Sequence, residues 1–230
     1  MMKADIRIIG VHARDEMIFH TLGRLGLSKD IVSYDDRPNG GACLYTARKA
    51  WLSPVEDGIT HRIVLADDAY VCNRFEDICN QIINAHPNKV ISCFPFDYQR
   101  KSDYIDGLNT PYVRTHLAAG MGIIMPVKYI EDCFQWIEKN LEPDAPDDCA
   151  ISLYCGNHGI DIITTIPPTI QHIGDDSILT PGLCVRRTEY YTDDPVADWG
   201  CENIAPMEIK PKRLFARRKT KGGNKNERTF

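Results

Sequence analysis

Short β-branched runs alternate with amphipathic segments along most of the chain, and this alternation constrains the fold more than any other feature. Strand-like runs cover residues 6–11, 30–34, 63–65, 89–93, 121–125 and 160–165. Helix-like periodicity covers residues 16–25, 42–52, 74–85, 126–140 and 148–157. Strands that are mostly separated by helices, as here, are typical of a mostly parallel sheet with right-handed crossovers. The pattern therefore predicts an α/β fold with helices flanking the sheet, and it predicts loops at 95–116 and 166–177.

Size and composition favour a single domain in a reducing compartment. The chain has 230 residues, of which 43% are hydrophobic, and this suits one domain with a substantial core. No apolar run approaches the ~20 residues that a membrane span needs, and the N-terminus does not resemble a signal peptide. Nine cysteines, without a CxxC pair, predict reduced and mostly buried thiols. We expect a cytoplasmic protein, in the host cytoplasm if a bacteriophage encodes it.

Charge is distributed unevenly between the body of the chain and its C-terminal end. Residues 207–230 contain nine Lys or Arg and two Glu, whereas the preceding 206 residues carry a net charge of −12. We therefore predict a folded domain over residues 1–206 and a flexible basic tail over 207–230. The tail has two interpretations: it keeps the protein soluble, or it contacts a polyanion such as nucleic acid.

Pairs of carboxylates follow two of the predicted strands. Asp35 and Asp36 end the second strand, and Asp67 and Asp68 end the third. Ligands of parallel α/β sheets bind beyond the carboxyl ends of the strands, where these acids are expected to lie. Adjacent carboxylates tolerate each other when Mg²⁺ or Mn²⁺ binds them and bridges phosphates. The alternatives are a helix cap for Asp67 and Asp68, and a turn for Asp35 and Asp36.

Several motifs, taken in order, resemble those of the GT-A glycosyltransferases between residues 6 and 177. IRIIGVHAR resembles their first strand, and IVLADDA resembles the strand that carries their acidic metal-binding element. AAGMGIIMP is similar to the strand bordering the acceptor site, and APDDCAISLYCGNHGIDI to the segment with the catalytic base. SYDD, NGGACLYTARKAW and PPTIQHIGDDS resemble three further family segments, the last with a metal-binding histidine. Two departures are Ala66, where the family's acidic element has its first Asp, and Lys49, where Asn is commoner.

The resemblance implies a role for each candidate residue in the acidic and histidine motifs. Asp68 and His172 would bind the metal, and Asp67 the sugar or ribose. Asp148, or its neighbour Asp147, would be the base that deprotonates the acceptor. An imidazole beside carboxylates favours Mn²⁺ over Mg²⁺. The structural alternatives are a helix N-cap for Asp147 and Asp148, and an ordinary loop histidine for His172.

The remaining candidates are predicted to contact the nucleotide portion of the donor. Asp35 and Asp36 are placed like the acids that bind the nucleoside. Two basic residues at positions 48 and 49 would contact the diphosphate, with a solvated helix face as the alternative. Two residues that follow the first strand, His12 and Arg14, could also contact the nucleotide.

Together these features predict a metal-dependent glycosyltransferase that uses a nucleotide-diphosphate sugar, with UDP as the favoured nucleotide. A base on the acceptor side implies inversion at the anomeric carbon. The basic tail favours DNA with a hydroxymethylated base as the acceptor, as for some bacteriophage enzymes, and a polysaccharide or a protein remains an alternative. A nucleotidyltransferase is disfavoured because VHARDEM lacks a glycine-rich loop after the first strand. A non-catalytic nucleotide-binding protein is the other alternative.

Overall fold

A computed structural model describes residues 3–37, 43–95, 110–174, 188 and 191–206. Five α-helices lie within these ranges: α1 Asp15–Leu25, α2 Cys43–Trp51, α3 Phe75–Ala85, α4 Val127–Asn140 and α5 Asp147–His158. The strands there are β1 Ala4–Gly10, β2 Val32–Tyr34, β3 His61–Ala66, β4 Ala69–Val71, β5 Val90–Ser92, β6 Tyr112–Thr115, β7 Gly122–Pro126, β8 Ile162–Thr165 and β9 Ile170–His172.

Seven strands form one twisted sheet in the order β2-β1-β3-β7-β5-β8-β6. Strands β2, β1, β3, β5 and β8 run in the same direction, whereas β7 and β6 run against them. The predicted α/β class with a mostly parallel sheet is therefore confirmed. Because the carboxyl ends of five strands meet at one edge of the sheet, side chains that follow those strands are brought together there.

Both faces of the sheet are covered, as the continuous apolar runs of its strands require. Successive residues of β3 point to opposite faces, so Ile63 and Leu65 pack with α1 and α3 while Val64 packs with α2, α4 and α5. Gly26 and Gly159 end α1 and α5 in the left-handed conformation, which glycine adopts without strain. The helix boundaries predicted from periodicity agree with the structure to within one or two residues.

Two predicted loops contain strands. Residues 112–115 form β6, an edge strand that pairs antiparallel with β8, so the prediction of a loop over 95–116 is wrong there; residues 96–109 lie outside the described part. Residues 170–172 form β9, which pairs antiparallel with β4 in a separate two-stranded sheet. Strands of three or four residues show too little alternation to be recognised in sequence, and partner strands stabilise them.

Residues 191–206 pack across the body of the molecule. Trp199 is buried in the core, and its carbonyl oxygen accepts a 2.6 Å hydrogen bond from the Tyr112 hydroxyl. Ala205 then pairs with β6 through main-chain hydrogen bonds to Tyr112 and Arg114. The predicted basic tail begins immediately beyond this segment and lies outside the described residues. Seven cysteines with described side chains, at positions 72, 79, 93, 133, 149, 155 and 201, are free thiols, as predicted. No helix within the described ranges has the length and apolarity to cross a membrane.

Candidate active site at the carboxyl edge of the sheet

Asp67 and Asp68 form the tight turn that joins β3 to β4. The structure excludes the helix-cap interpretation, because strand β4 follows directly and the next helix, α3, begins only at Phe75. Both acids are largely buried, with residue exposures of 9% and 4%. Buried carboxylates are costly unless they are paired, so the partners of this turn decide what the turn can do.

His172 is the first partner, and it approaches from a segment 104 residues away in the chain. Its Nε2 lies 2.8 Å from Asp68 Oδ2. The β4–β9 pairing produces this contact, because His172 is the register partner of Ala69. The main chain reinforces it, since the Ile173 N–H donates to the Asp68 carbonyl oxygen over 3.0 Å. The structure thus brings together the two residues predicted as metal ligands.

Arg14 is the second partner, and it reaches the turn from the short 3₁₀ helix His12–Arg14, immediately before α1. Its Nη1 donates to Asp67 Oδ1 over 2.7 Å and also to Asp68 Oδ2. Asp67 Oδ2 accepts a further 3.1 Å hydrogen bond from the Val11 N–H. The residue predicted to contact the nucleotide therefore lies against both acids of the turn.

Glycines allow these groups to approach. A Cβ at Gly174 would lie 2.7 Å from Asp68 Oδ2, and one at Gly10 would lie 3.0 Å from Asp67 Cβ and 2.7 Å from Ile18 Cδ1. Side chains at either position would meet the acidic turn or the core beneath it. Neither glycine was predicted as a site residue, because Gly10 lies within the predicted first strand and Gly174 within the predicted loop 166–177. The signal that could have found them is that each stands two residues from a candidate histidine, His12 or His172.

Burial and neighbouring charges shift the pKa values of Asp67 and Arg14. Burial, followed by the charge of Asp68, raises the pKa of Asp67 above its ordinary value, and the hydrogen bond from Arg14 opposes this shift. Burial disfavours the charged guanidinium of Arg14, but the two carboxylates outweigh that cost and raise its pKa. The turn is therefore a desolvated acidic pair that one cation balances in part.

The second acidic pair, Asp147 and Asp148, begins α5 directly after Pro146. Burial is the main cause of the raised pKa of both residues, and it brings that of Asp147 to about 7. Asp148 Oδ1 accepts a 2.6 Å hydrogen bond from the Cys149 N–H, and the Gly120 N–H also stabilises this carboxylate. Pro146 occupies the N-cap position, so the N-cap alternative for Asp147 and Asp148 is wrong. Both acids lie in the first turn of α5, where a helix N-terminus favours negative charge.

Strand register places this second pair beside the first. Leu65 of β3 is opposite Gly122 of β7, and the Ala66 N–H donates to the Met121 carbonyl oxygen over 3.2 Å. One further step along each strand leads to Asp67 on one side and Gly120 on the other. Because Asp148 contacts Gly120, both acidic pairs lie at the same edge of the sheet.

Buried serines fix the backbone between the acidic pairs. Ser152 Oγ donates to the Asp148 carbonyl oxygen over 2.6 Å and accepts from the Ala118 N–H over 3.0 Å. Ser92 Oγ accepts from the Ala119 N–H over 2.9 Å. Neither serine was predicted as a site residue, because an isolated serine in a helix or strand gives no local signal.

The acids after β2 have partners of their own. Asp35 Oδ1 accepts hydrogen bonds from the Arg37 main-chain N–H and side chain, which fits the predicted turn. Asp36 pairs with Lys49 at 3.2 Å. Hydrogen bonds from Arg37 and Lys49, respectively, lower the pKa of Asp35 and Asp36. Asp35 is also tied to β1 through a 2.9 Å bond from its N–H to the Gly10 carbonyl oxygen, so this pair lies at the same edge.

The other residues predicted to contact the nucleotide do not contact the acidic turn in the interactions described below. His12 is exposed and stacks on Tyr34, with ring centroids 4.1 Å apart. Arg48 pairs with Glu138 of α4 at 3.0 Å. The contacts of His12, Arg48 and Lys49 with a nucleotide stay predictions, and residues 38–42 of the predicted glycine-containing motif lie outside the described part.

Asp68 and His172 fit a divalent ion that retains open coordination positions. They offer a carboxylate oxygen and an imidazole nitrogen, a donor pair that suits Mn²⁺. Gly174 leaves space beside Asp68 Oδ2 that a Cβ would fill. Within the described ranges, no group of three or more His, Cys, Asp or Glu side chains is placed to hold a metal ion. Such an ion would therefore depend on substrate phosphates and water for its other ligands, as Mg²⁺ and Mn²⁺ commonly do.

Comparison with known proteins finds similar solved structures but no similar sequences. No protein-family model and no curated protein sequence matches the chain. Among solved structures, the catalytic domain of Drosophila β1,4-galactosyltransferase 7 in complex with xylobiose is similar at 10% identity and a TM-score of 0.46, covering 76% of this chain and 71% of that one. A mutant of the same enzyme with manganese, UDP-Gal and xylobiose gives 9% identity, a TM-score of 0.45 and the same coverage. These similarities assign neither a ligand nor an activity to this chain.

Proposed function

We propose that this protein is a metal-dependent glycosyltransferase that transfers a sugar from a nucleotide-diphosphate donor, with UDP as the favoured nucleotide, to an acceptor hydroxyl. The observation that carries the proposal is the contact between Asp68 and His172. Two residues 104 positions apart in the chain, one in a buried turn and the other at the end of β9, meet at 2.8 Å. The second acidic pair lies at the same edge of the sheet, as a reaction with separate donor and acceptor sides requires.

Asp68 and His172 would hold the divalent ion, whose chemistry is to neutralise the charge that develops on the departing diphosphate. Asp67 would bind the ribose or the sugar, and Arg14 would add positive charge at the phosphates. Asp35 and Asp36, at the end of β2, would bind the nucleoside. A buried, closely packed edge suits this chemistry, because electrostatic interactions are stronger where water is excluded.

Asp148 is the proposed general base on the acceptor side. Its carboxylate would take the proton of the acceptor hydroxyl while that oxygen attacks the anomeric carbon and the bond from carbon to diphosphate breaks. Its raised pKa increases its strength as a base, provided that it is ionised at the working pH. Direct displacement inverts the configuration at the anomeric carbon, so a product with retained configuration would refute this assignment.

The test combines donor binding with turnover. A thermal-shift screen of nucleotide sugars, with and without Mn²⁺, should give the largest stabilisation when the correct donor and Mn²⁺ are both present. We expect Asp68→Asn and His172→Ala to lower UDP release about 100-fold or more, because each removes a metal ligand. Asp77→Asn, at an exposed ion pair on α3, is the matched control and should retain full activity. A non-catalytic binding protein would show the thermal shift without UDP release, and a nucleotidyltransferase would release pyrophosphate from a nucleoside triphosphate instead.

For the acceptor, we propose DNA that carries a hydroxymethylated base. The support is the charge of residues 207–230, with nine Lys or Arg against two Glu. A basic tail adds phosphate contacts and makes binding depend steeply on salt. Deleting residues 210–230 should weaken DNA binding and flatten the dependence of affinity on salt concentration. Unchanged affinity would remove the reason for preferring DNA and direct the search to polysaccharide or protein acceptors.

A further inference from the structure

Arg14 places one guanidinium nitrogen against both acids of the β3–β4 turn. Its Nη1 is 2.7 Å from Asp67 Oδ1 and also contacts Asp68 Oδ2, the same oxygen that lies 2.8 Å from His172 Nε2. The side chains of Arg14 and Asp68 are 12% and 5% exposed. A positive charge of the protein itself therefore lies on the oxygen through which Asp68 and His172 meet.

We propose that Arg14 is an internal counter-cation that competes with the divalent ion for Asp68 and moves to the donor's diphosphate when the ion binds. The consequence is that ion and donor bind cooperatively, each favouring the other through one arginine. This inference rests on the proposed function, because it concerns how the same site acquires its metal and its nucleotide.

Charge balance is the first step of the argument. Without an ion, the turn holds two buried carboxylates, and leaving them unpaired would be costly. Arg14 removes much of that cost, so it stabilises the protein in the ion-free state. A divalent ion at Asp68 would bring a second positive charge to the oxygen that Arg14 already contacts, and the two cations would repel each other.

The diphosphate is the second step, because it offers the displaced guanidinium a new anion. Arginine binds phosphate oxygens through a planar fork of N–H donors, so a diphosphate is a strong alternative partner for this guanidinium. Arg14 belongs to the short 3₁₀ helix His12–Arg14, and its main-chain N–H bonds to the Val11 carbonyl oxygen over 2.9 Å. Rotation about the side-chain bonds can therefore redirect the guanidinium while the backbone stays in place.

Reciprocity is the third step. If donor binding removes Arg14 from Asp68, the donor raises the affinity for the ion, and by linkage the ion raises the affinity for the donor by the same factor. A permanent structural ion pair makes the opposite prediction. Replacing such an arginine would lower the stability of the protein. It would change metal affinity only by the amount expected from removing any nearby positive charge.

The experiment measures Mn²⁺ binding directly, from the electron paramagnetic resonance signal of free aqueous Mn²⁺, with and without UDP. For the unmodified protein, UDP should raise Mn²⁺ affinity about tenfold or more. For Arg14→Gln, Mn²⁺ alone should bind about tenfold more tightly than to the unmodified protein. The enhancement by UDP should be several-fold smaller than in the unmodified protein, and the part that remains comes from direct coordination of the ion by the diphosphate. Arg24→Gln is the matched control, because it removes the same charge from a partly buried arginine that pairs with Asp193 outside the site. It should change neither quantity.

A double variant separates competition from net charge. Arg14→Gln with Asp67→Asn removes one charge of each sign, so the formal charge of the turn equals that of the unmodified protein while Asp68 loses its guanidinium partner. It also avoids an unbalanced acidic pair, which could unfold the single variant. We expect the double variant to bind Mn²⁺ alone several-fold more tightly than the unmodified protein. Equal affinity would overturn the proposal, because it would show that only net charge matters.

The two proposals fail in different ways. If UDP enhances Mn²⁺ binding equally in the unmodified protein and in Arg14→Gln, the role of Arg14 is refuted while the metal-dependent function stands. If none of the proteins binds Mn²⁺, even with UDP present, the proposed metal site itself is refuted and the role of Arg14 falls with it.

Discussion

The two ends of β3 each hold an arginine bound to aspartate, and the two arginines differ in what surrounds them. At the amino end, Arg62 is fully buried, bonds to Asp5, and donates to the carbonyl oxygens of four residues: Ala50, Trp51, Ser53 and Pro54. At the carboxyl end, Arg14 contacts Asp67 and Asp68 through one nitrogen. One guanidinium is surrounded by main chain, and the other lies between two carboxylates.

The difference shows how the same ion pair can serve structure or chemistry. Arg62 donates to carbonyl oxygens at the C-terminal end of α2, which have no N–H donor within the helix to satisfy them. A metal ion or a phosphate could not replace this guanidinium, because neither has its set of N–H donors. The carboxylates that hold Arg14 are, by contrast, the ligands that divalent ions prefer. We therefore expect the amino end to determine stability and the carboxyl end to determine ligand binding, and three predictions test this division.

The largest effect is expected at the amino end. Arg62→Gln should lower the free energy of unfolding by about 3–5 kcal/mol, because it leaves the Asp5 carboxylate and several carbonyl oxygens without their partner. Chemical denaturation measures this loss. Arg114→Gln, at an exposed pair with Asp161, is the control and should change stability by less than about 1 kcal/mol. If Arg62→Gln were as mild as the control, the proposed division between the two ends would be wrong.

The next effect concerns the pH dependence of the carboxyl edge. The folded protein holds the pKa of Asp147 at about 7, above the 3.8 of an ordinary aspartate, mainly because the residue is buried. The folded state then binds more protons than the unfolded state between pH 4 and 7, so stability falls as the pH rises through that interval. Asp147→Asn should remove this contribution and be more stable than the unmodified protein by about 2–4 kcal/mol at pH 8, with no such gain at pH 4.

Denaturation at several pH values between 4 and 8 tests the prediction for Asp147. Asp144→Asn, in the exposed loop before α5, serves as the control and should follow the unmodified protein at every pH. A gain of the same size at pH 4 and pH 8 would show that the benefit of the asparagine is unrelated to burial of the charge.

The smallest effect on stability is expected for Gly174→Ala, which should instead lose the stabilisation by Mn²⁺ and donor. Gly174→Ala puts a Cβ 2.7 Å from Asp68 Oδ2, which displaces the carboxylate and costs about 1–3 kcal/mol. The rise in melting temperature caused by Mn²⁺ and donor should shrink much more than stability does. Gly156→Ala, where a Cβ meets nothing within 4 Å, is the control and should keep the full response. An intact response in Gly174→Ala would argue against an ion at Asp68.

Local pattern predicted the long elements and the residue pairs at the strand ends well. The helices were recognisable because their apolar residues repeat at helical spacing over several positions, as in α4, which was predicted at 126–140 and found at Val127–Asn140. Strands β4, β6 and β9 were missed, because three or four residues show too little alternation. The missed pairing of β4 with β9 is the one that brings His172 to Asp68.

The sequence by itself determined the alternation of strands and helices, and hence that acids following parallel strands would meet at one edge of the sheet. It also marked Asp67, Asp68, Asp148 and His172 as candidates. Only the tertiary structure decided that Arg14 lies between the acids, that glycines at positions 10 and 174 leave room for them, and that Ser92 and Ser152 hold the backbone beside Asp148. The physical reason is that periodicity and turn chemistry act within a few residues of the chain. Partners of buried charges are instead chosen by packing between segments that are distant in sequence.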